Sequence, residues 1–225
     1  MLDKRLVIIT GHYGSGKTEF SVNYAVKMKE KYKNVSLADL DIVNPYFRSR
    51  EKKAFLEKLG IHVLDSSINN NQTLDLPALP AGIMGIITNV NIKAILDIGG
   101  DPVGARVLAR FSEQIKKMEY DLFYVINGNR PETQTKEDVI RYLKDIEKTS
   151  GLKVTGLINN THMLKDTSIQ DVESGHELTK DVSWEIDVPI RYEAAMRKTA
   201  DNIINEEIKA KLFPINLYMR EEWMS

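Results

Sequence analysis

The chain of 225 residues contains no cysteine, which excludes disulfides, thiolate zinc sites, cysteine-ligated iron–sulfur clusters and a catalytic thiolate. It has no excess of either charge, since 31 lysines and arginines stand against 32 aspartates and glutamates. No global basic field therefore draws it to nucleic acid or to a membrane surface. Long hydrophobic runs are missing as well. After Asp3, Lys4 and Arg5 come only the apolar residues Leu6 to Ile9, too few for a signal peptide or a membrane span, so a cytoplasmic location is expected. His12, His62, His162 and His176 are scattered without the spacing of metal ligands. What remains is ordinary globular composition, 42% hydrophobic and 28% charged, sufficient for one domain over residues 1–225.

Short apolar runs alternate with stretches of helical period, the pattern of a parallel sheet covered by helices on both faces. Runs at Leu6–Ile9, Val35–Leu40, Ile61–Leu64, Ile92–Ile98, Leu122–Ile126, Val154–Ile158 and Trp184–Val188 are mostly apolar on both parities. They predict an α/β fold, three-layer α/β/α, with a mostly parallel central sheet of about seven strands. Phe20, Tyr24, Met28 and Tyr32 recur every four residues and place an apolar stripe on a helix. Val103, Val107, Phe111, Ile115 and Met118 do the same, with Asp101 before Pro102 as an N-cap. Val139, Tyr142, Leu143 and Ile146 mark another helix, and Ala195 to Ile208 suggests a helical C-terminal region. The stretch from Asp65 to Gly85 reads as a loop, followed by a short helix near Gly82 to Thr88.

Gly11-His12-Tyr13-Gly14-Ser15-Gly16-Lys17-Thr18 fits G-x-x-x-x-G-K-[ST] in full, after a buried strand and at the start of an amphipathic helix. In such a loop backbone N–H groups and the helix N-terminus cradle phosphates. The lysine reaches the β and γ phosphates and the threonine hydroxyl faces Mg²⁺. Asp97 ends a strand before Gly99 and Gly100, and is read either as the magnesium-holding Walker B acid or as a cap for the next helix. Gly100 stands three residues on, a spacing that brings a backbone N–H to the γ-phosphate. Ala38-Asp39-Leu40-Asp41 ends another strand, and its two carboxylates are read as facing opposite ways, which leaves one of them for catalysis; alternatively both are solvated loop acids.

Together these motifs resemble those of the MinD/ParA group of P-loop ATPases. That resemblance implies ATP and Mg²⁺ as cofactors, Asp41 as the residue that orients or activates the attacking water, and Asp39 as a supporting acid of the metal shell. Gly156-Leu157-Ile158-Asn159-Asn160 matches the family's G-h-h-h-N pattern, which implies an adenine contact for Asn160; as a residue type it reads equally well as a turn former. His12 stands where the family has a lysine that crosses a dimer interface, and Tyr13 where it usually has glycine. Arg48 and Arg50 are the nearest basic residues able to take that lysine's place.

Guanine recognition by N-K-x-D needs an aspartate, and neither Asn127-Gly128-Asn129-Arg130 nor Asn159-Asn160-Thr161-His162 supplies one. ATP is therefore favoured over GTP. The leading expectation is a slow, Mg²⁺-dependent ATPase acting as a nucleotide switch, with a homodimer and an unidentified protein as its associations, and with neither nucleic acid nor membrane as a partner. The competing expectation is a small-molecule kinase or ligase of the dethiobiotin synthetase type, in which Arg48, Arg50, Arg106 or Arg130 grips an acidic substrate. The tail Lys211 to Met219 is apolar but broken by Pro214, and is expected to pack on its own domain or on a dimer partner.

Overall fold

Strands buried on both faces are mostly apolar, and β1 (Leu6–Gly11), β2 (Val35–Asp39) and β4 (Lys93–Asp97) are buried along their whole lengths. The computed structural model describes residues 3–41, 52–65, 82–100 and 102–219. With β3 (Ile61–Asp65), β5 (Tyr120–Ile126), β6 (Gly156–Asn159), β7 (Ile190–Met196) and β8 (Leu212–Ile215), these strands form one eight-stranded sheet in the order β3-β2-β4-β1-β5-β6-β7-β8. Every neighbouring pair is parallel.

The helices are α1 (Lys17–Lys29), α2 (Lys53–Lys58), α3 (Gly82–Thr88), α4 (Pro102–Ala109), α5 (Ser112–Lys116), α6 (Lys136–Ser150), α7 (Ile169–Ile186), α8 (Arg197–Ala200) and α9 (Glu206–Lys209). Alternation along the strands divides the core in two. Leu6 and Ile8 pack with Leu96, Leu108, Leu143 and Val182 on one face, while Val7 and Ile9 pack with Phe20, Tyr24, Val125 and Phe213 on the other. β1 lies between β4 and β5, where the chain order reverses. Open parallel sheets bind ligands at such a switch point, outside the carboxyl ends of the strands.

The mostly parallel sheet is as expected, with eight strands where about seven were expected. Several finer expectations need correction. Trp184–Val188 is not a strand: α7 runs to Ile186, left-handed Asp187 (φ 54°) ends it, and the strand begins at Ile190. Trp184 and Ile186, two of the apolar residues behind that expectation, sit on the last turn of the helix, where Trp184 is 90% exposed. The stripe from Val103 to Met118 is split between α4 and α5, and β6 starts at Gly156 rather than Val154. The supposed helical C-terminal region begins as the end of β7 and continues as the short helices α8 and α9. The tail packs on its own domain as β8, an edge strand in which Pro214 is exposed. The helix at Gly82–Thr88 is as expected; Asp101, Arg48, Arg50 and residues 66–81 lie outside the described residues.

Candidate functional site

At the C-terminal end of β1 the chain turns sharply into α1. Ser15 N donates to His12 O at 3.1 Å, and Phe20 N donates to Gly16 O at 2.9 Å as the first helical bond. Gly16 is the N-cap in the left-handed region, with φ 81°, a conformation that favours glycine. Gly100 approaches the loop so closely that a Cβ there would stand 1.7 Å from Gly11 O. The glycine after β4 is thus the packing surface on which the loop rests.

Three carboxylates and one lysine gather beside this turn. Lys17 Nζ lies 3.2 Å from Asp41 Oδ2, both side chains buried. Asp39 and Asp97 are register partners on adjacent β2 and β4, and Leu40 N donates to Asp97 O at 2.9 Å. The expectation that Asp39 and Asp41 face apart is wrong, because residues two apart in an extended chain share a side. Here Asp39 Oδ1 accepts from Asp41 N at 3.1 Å, and the charges of both reach Asp97. Asp97 is fully buried, and Ser21 Oγ donates to its Oδ1 at 3.0 Å. Its Oδ2 has no partner among the described residues. Burial first, then the Asp39 charge, pushes its carboxyl up to about 7, against the pull of Lys17.

A cavity of about 400 Å³ is lined by Tyr13, Lys17 and Thr18 of the loop and start of α1 and by Leu164, Met196 and Met219. None of the three acids lines it. Asn160 Nδ2 donates to Ser15 O at 2.8 Å, which orients the amide and leaves its buried Oδ1 without a partner. The C-terminal segment completes the wall: Glu19 Oε1 accepts from Tyr218 N at 2.6 Å, and Asn23 exchanges hydrogen bonds of 2.8 Å with the backbone of Asn216. His12 is half-buried, its ring 4.4 Å from that of Tyr142 on α6, whereas Tyr13 is exposed.

Among solved structures the chain is similar to cell division protein FtsY of Thermotoga maritima, with 21% identity over 85% of this chain and 62% of that one and a TM-score of 0.54. Chloroplast FtsY of Physcomitrella patens matches at 15% identity, 85% and 59% coverage and a TM-score of 0.55. The signal recognition particle receptor FtsY of Elizabethkingia anophelis, in complex with GDP, matches at 19% identity, 85% and 58% coverage and a TM-score of 0.50. This chain has the P-loop NTPase fold. It spans less than two thirds of the length of these structures, and at such identities the likeness is one of fold. No family model and no curated protein sequence matches it.

Within this P-loop NTPase fold, Asp39, Asp41, Asp97 and Gly100 gather beside the loop Gly11 to Thr18, and Tyr13, Gly14, Gly16, Lys17 and Thr18 of that loop also line the cavity with Asn160. Ser21, which holds Asp97, and Glu19, which holds the C-terminal segment, were not anticipated. Their signal was positional, since residues two and four beyond a phosphate-loop lysine occupy the first turns of the helix it opens. Among the described residues no helix is long and apolar enough to cross a membrane.

Proposed function

We propose that this chain is a Mg²⁺-dependent ATPase of the MinD/ParA kind, whose nucleotide state switches a surface read by another protein. The observation that carries this reading is the buried Lys17–Asp41 pair set between a phosphate loop and the crowded carboxylates of Asp39 and Asp97. One lysine against three acids leaves negative charge in a dry site, which is favourable only with a further cation. The donors fit Mg²⁺: they are hard oxygens, and Asp97 Oδ2 is buried without a hydrogen-bond partner among the described residues. Among the described residues no group of three or more acids or histidines is arranged to hold a metal alone. Mg²⁺ itself takes one or two carboxylates and completes its shell with phosphate and water.

When bound, Mg²⁺·ATP supplies the γ-phosphoryl group that water attacks. In this reading Thr18 and Asp97 hold the cation, with Asp39 supporting them. Lys17 exchanges Asp41 for phosphate, and Asp41 orients the water. Adenine is favoured because Asn127, in the turn where a guanine-reading aspartate would be sought, has no carboxylate and spends its Oδ1 on Asn129 N and His162 N, while the Asn160 Oδ1 acceptor is left for the adenine 6-amino group. The kinase reading has less support, since Arg106 is exposed on α4 and Arg130 lines the same cavity as Asn160.

Calorimetry with ATP and GTP, with and without Mg²⁺, combined with phosphate-release assays, tests the proposal. Mg²⁺-dependent ATP binding with slow hydrolysis is expected. Preference for GTP, or binding indifferent to Mg²⁺, would overturn it.

A further inference from the structure

We propose that Arg130 is a second phosphate-binding residue, a fixed guanidinium at the lip of the loop that grips the nucleotide's phosphate chain together with Lys17. This rests on the nucleotide-binding reading above and adds a residue that no P-loop motif contains.

The backbone of Arg130 is held before its side chain is considered. Arg130 N donates to Asn127 O at 3.2 Å, and Arg130 O accepts from Thr133 N at 2.9 Å. Pro131 opens the short 3₁₀ turn that follows, and Thr133 Oγ1 donates to Asn127 O at 2.7 Å. From this turn the side chain crosses to the phosphate loop, where Nε donates to Gly14 O at 2.9 Å. A Cβ on Gly14 would stand 3.0 Å from Nε and 3.2 Å from Cζ, so glycine at that position makes room for the guanidinium as well as adopting φ 74°.

A guanidinium has five N–H groups in a planar fork, and Gly14 O uses one. The others have no partner among the described residues, and no carboxylate there pairs with Arg130. The half-buried side chain lines the cavity beside Gly14, Gly16, Lys17 and Asn160. A loop staple needs only the Nε bond. The unspent fork, held in place in advance, matches a phosphate through two parallel hydrogen bonds and loses little conformational freedom when it does so. Its neighbours also distinguish nucleotide from second substrate, because the cavity it lines holds Asn160 and excludes Asp39, Asp41 and Asp97.

The test measures the affinities of wild-type protein, Arg130→Gln and Arg130→Lys for adenosine and guanosine and for their mono-, di- and triphosphates, by calorimetry and, for the nucleosides, ligand-observed NMR. Arg130→Gln is expected to weaken di- and triphosphate binding about ten- to thirtyfold, the worth of a charge-assisted contact, and to leave nucleoside binding unchanged. Arg130→Lys should recover part of that loss. Equal losses for nucleoside and nucleotide, shared by both variants, would reduce Arg130 to a loop staple and overturn the inference. Unchanged nucleotide affinity in both variants would overturn it too, while leaving nucleotide binding itself intact. A wild-type protein that binds no nucleotide would overturn both.

Discussion

Strand β4 begins with a buried lysine and ends with a buried aspartate, and burial drives both towards neutrality: Lys93 down to about 8 and Asp97 up to about 7. The surroundings of the two differ. At the N-terminal end of the sheet, Lys93 Nζ donates to Lys4 O at 2.5 Å and lies 5.5 Å from the ring centres of Tyr24 and Tyr32. Asp3 accepts from Tyr24 Oη at 2.7 Å and also from Tyr192 and Arg191, and Asp121 accepts from Lys4 N at 2.7 Å. At the C-terminal end, Asp97 Oδ2, Thr10 Oγ1, Ser15 Oγ and Asn160 Oδ1 are all buried without hydrogen-bond partners among the described residues. Folded interiors satisfy their polar groups. A knot of unmade hydrogen bonds around a glycine-rich turn is therefore what separates a waiting site from a structural tie, whereas a displaced pKa occurs in both.

Removing the lysine at each end sharpens the contrast most. Lys17→Ala is expected to weaken nucleotide binding about a hundredfold or more, and Lys93→Met to leave it unchanged; equal losses in calorimetry would erase the distinction between the two ends. Next comes Asp41→Asn, for which the hydrolysis rate should fall by roughly a hundredfold while ATP binds at least as tightly, because a negative charge beside the phosphates is gone. If Asp39→Asn stops single-turnover hydrolysis and Asp41→Asn does not, the two acids exchange roles.

The smallest effect concerns Lys93 and stability. Its folded pKa, about 8, lies below the ordinary 10.5, so the folded chain holds fewer protons than the unfolded one across that window and stability rises with pH there. Lys93→Met should stabilise the protein at neutral pH by about 1–2 kcal/mol, a gain that fades as pH approaches 10. Urea melts at several pH values check this. Destabilisation at neutral pH would mean that the Lys4 carbonyl and the two tyrosine rings outweigh the burial of charge.

The phosphate loop was legible because its requirements are local: glycine where the backbone turns left-handed, lysine and threonine at fixed offsets. The uniformly apolar strands were legible for a similar reason, since burial on both faces leaves few other residue choices. β7 was not. Arg191 and Glu193 interrupt its apolar pattern, and their burial depends on Asp3, Asn159 and His176, partners far away in the chain. Glu193 is fully buried, its carboxyl raised by burial and pulled back by His176. α7 left a signal that went unread, Ser168 and Asp171 forming a capping box. Arg130 was legible as a cation but not as a neighbour of Gly14, because its contact spans 116 residues.

Leu217 and Met219 finish the cavity wall, and they are held by a glutamate that follows the phosphate loop at once, 199 residues before Tyr218. A ribosome therefore delivers the loop long before the wall that closes over it, by roughly 10–40 s at ordinary rates of synthesis. During that interval the nascent chain has a phosphate cradle with one side missing. On the nucleotide-binding reading, a cavity complete on all sides exists only after the tail has docked. On that reading, nucleotide favours a chain whose tail is docked over one whose tail is not.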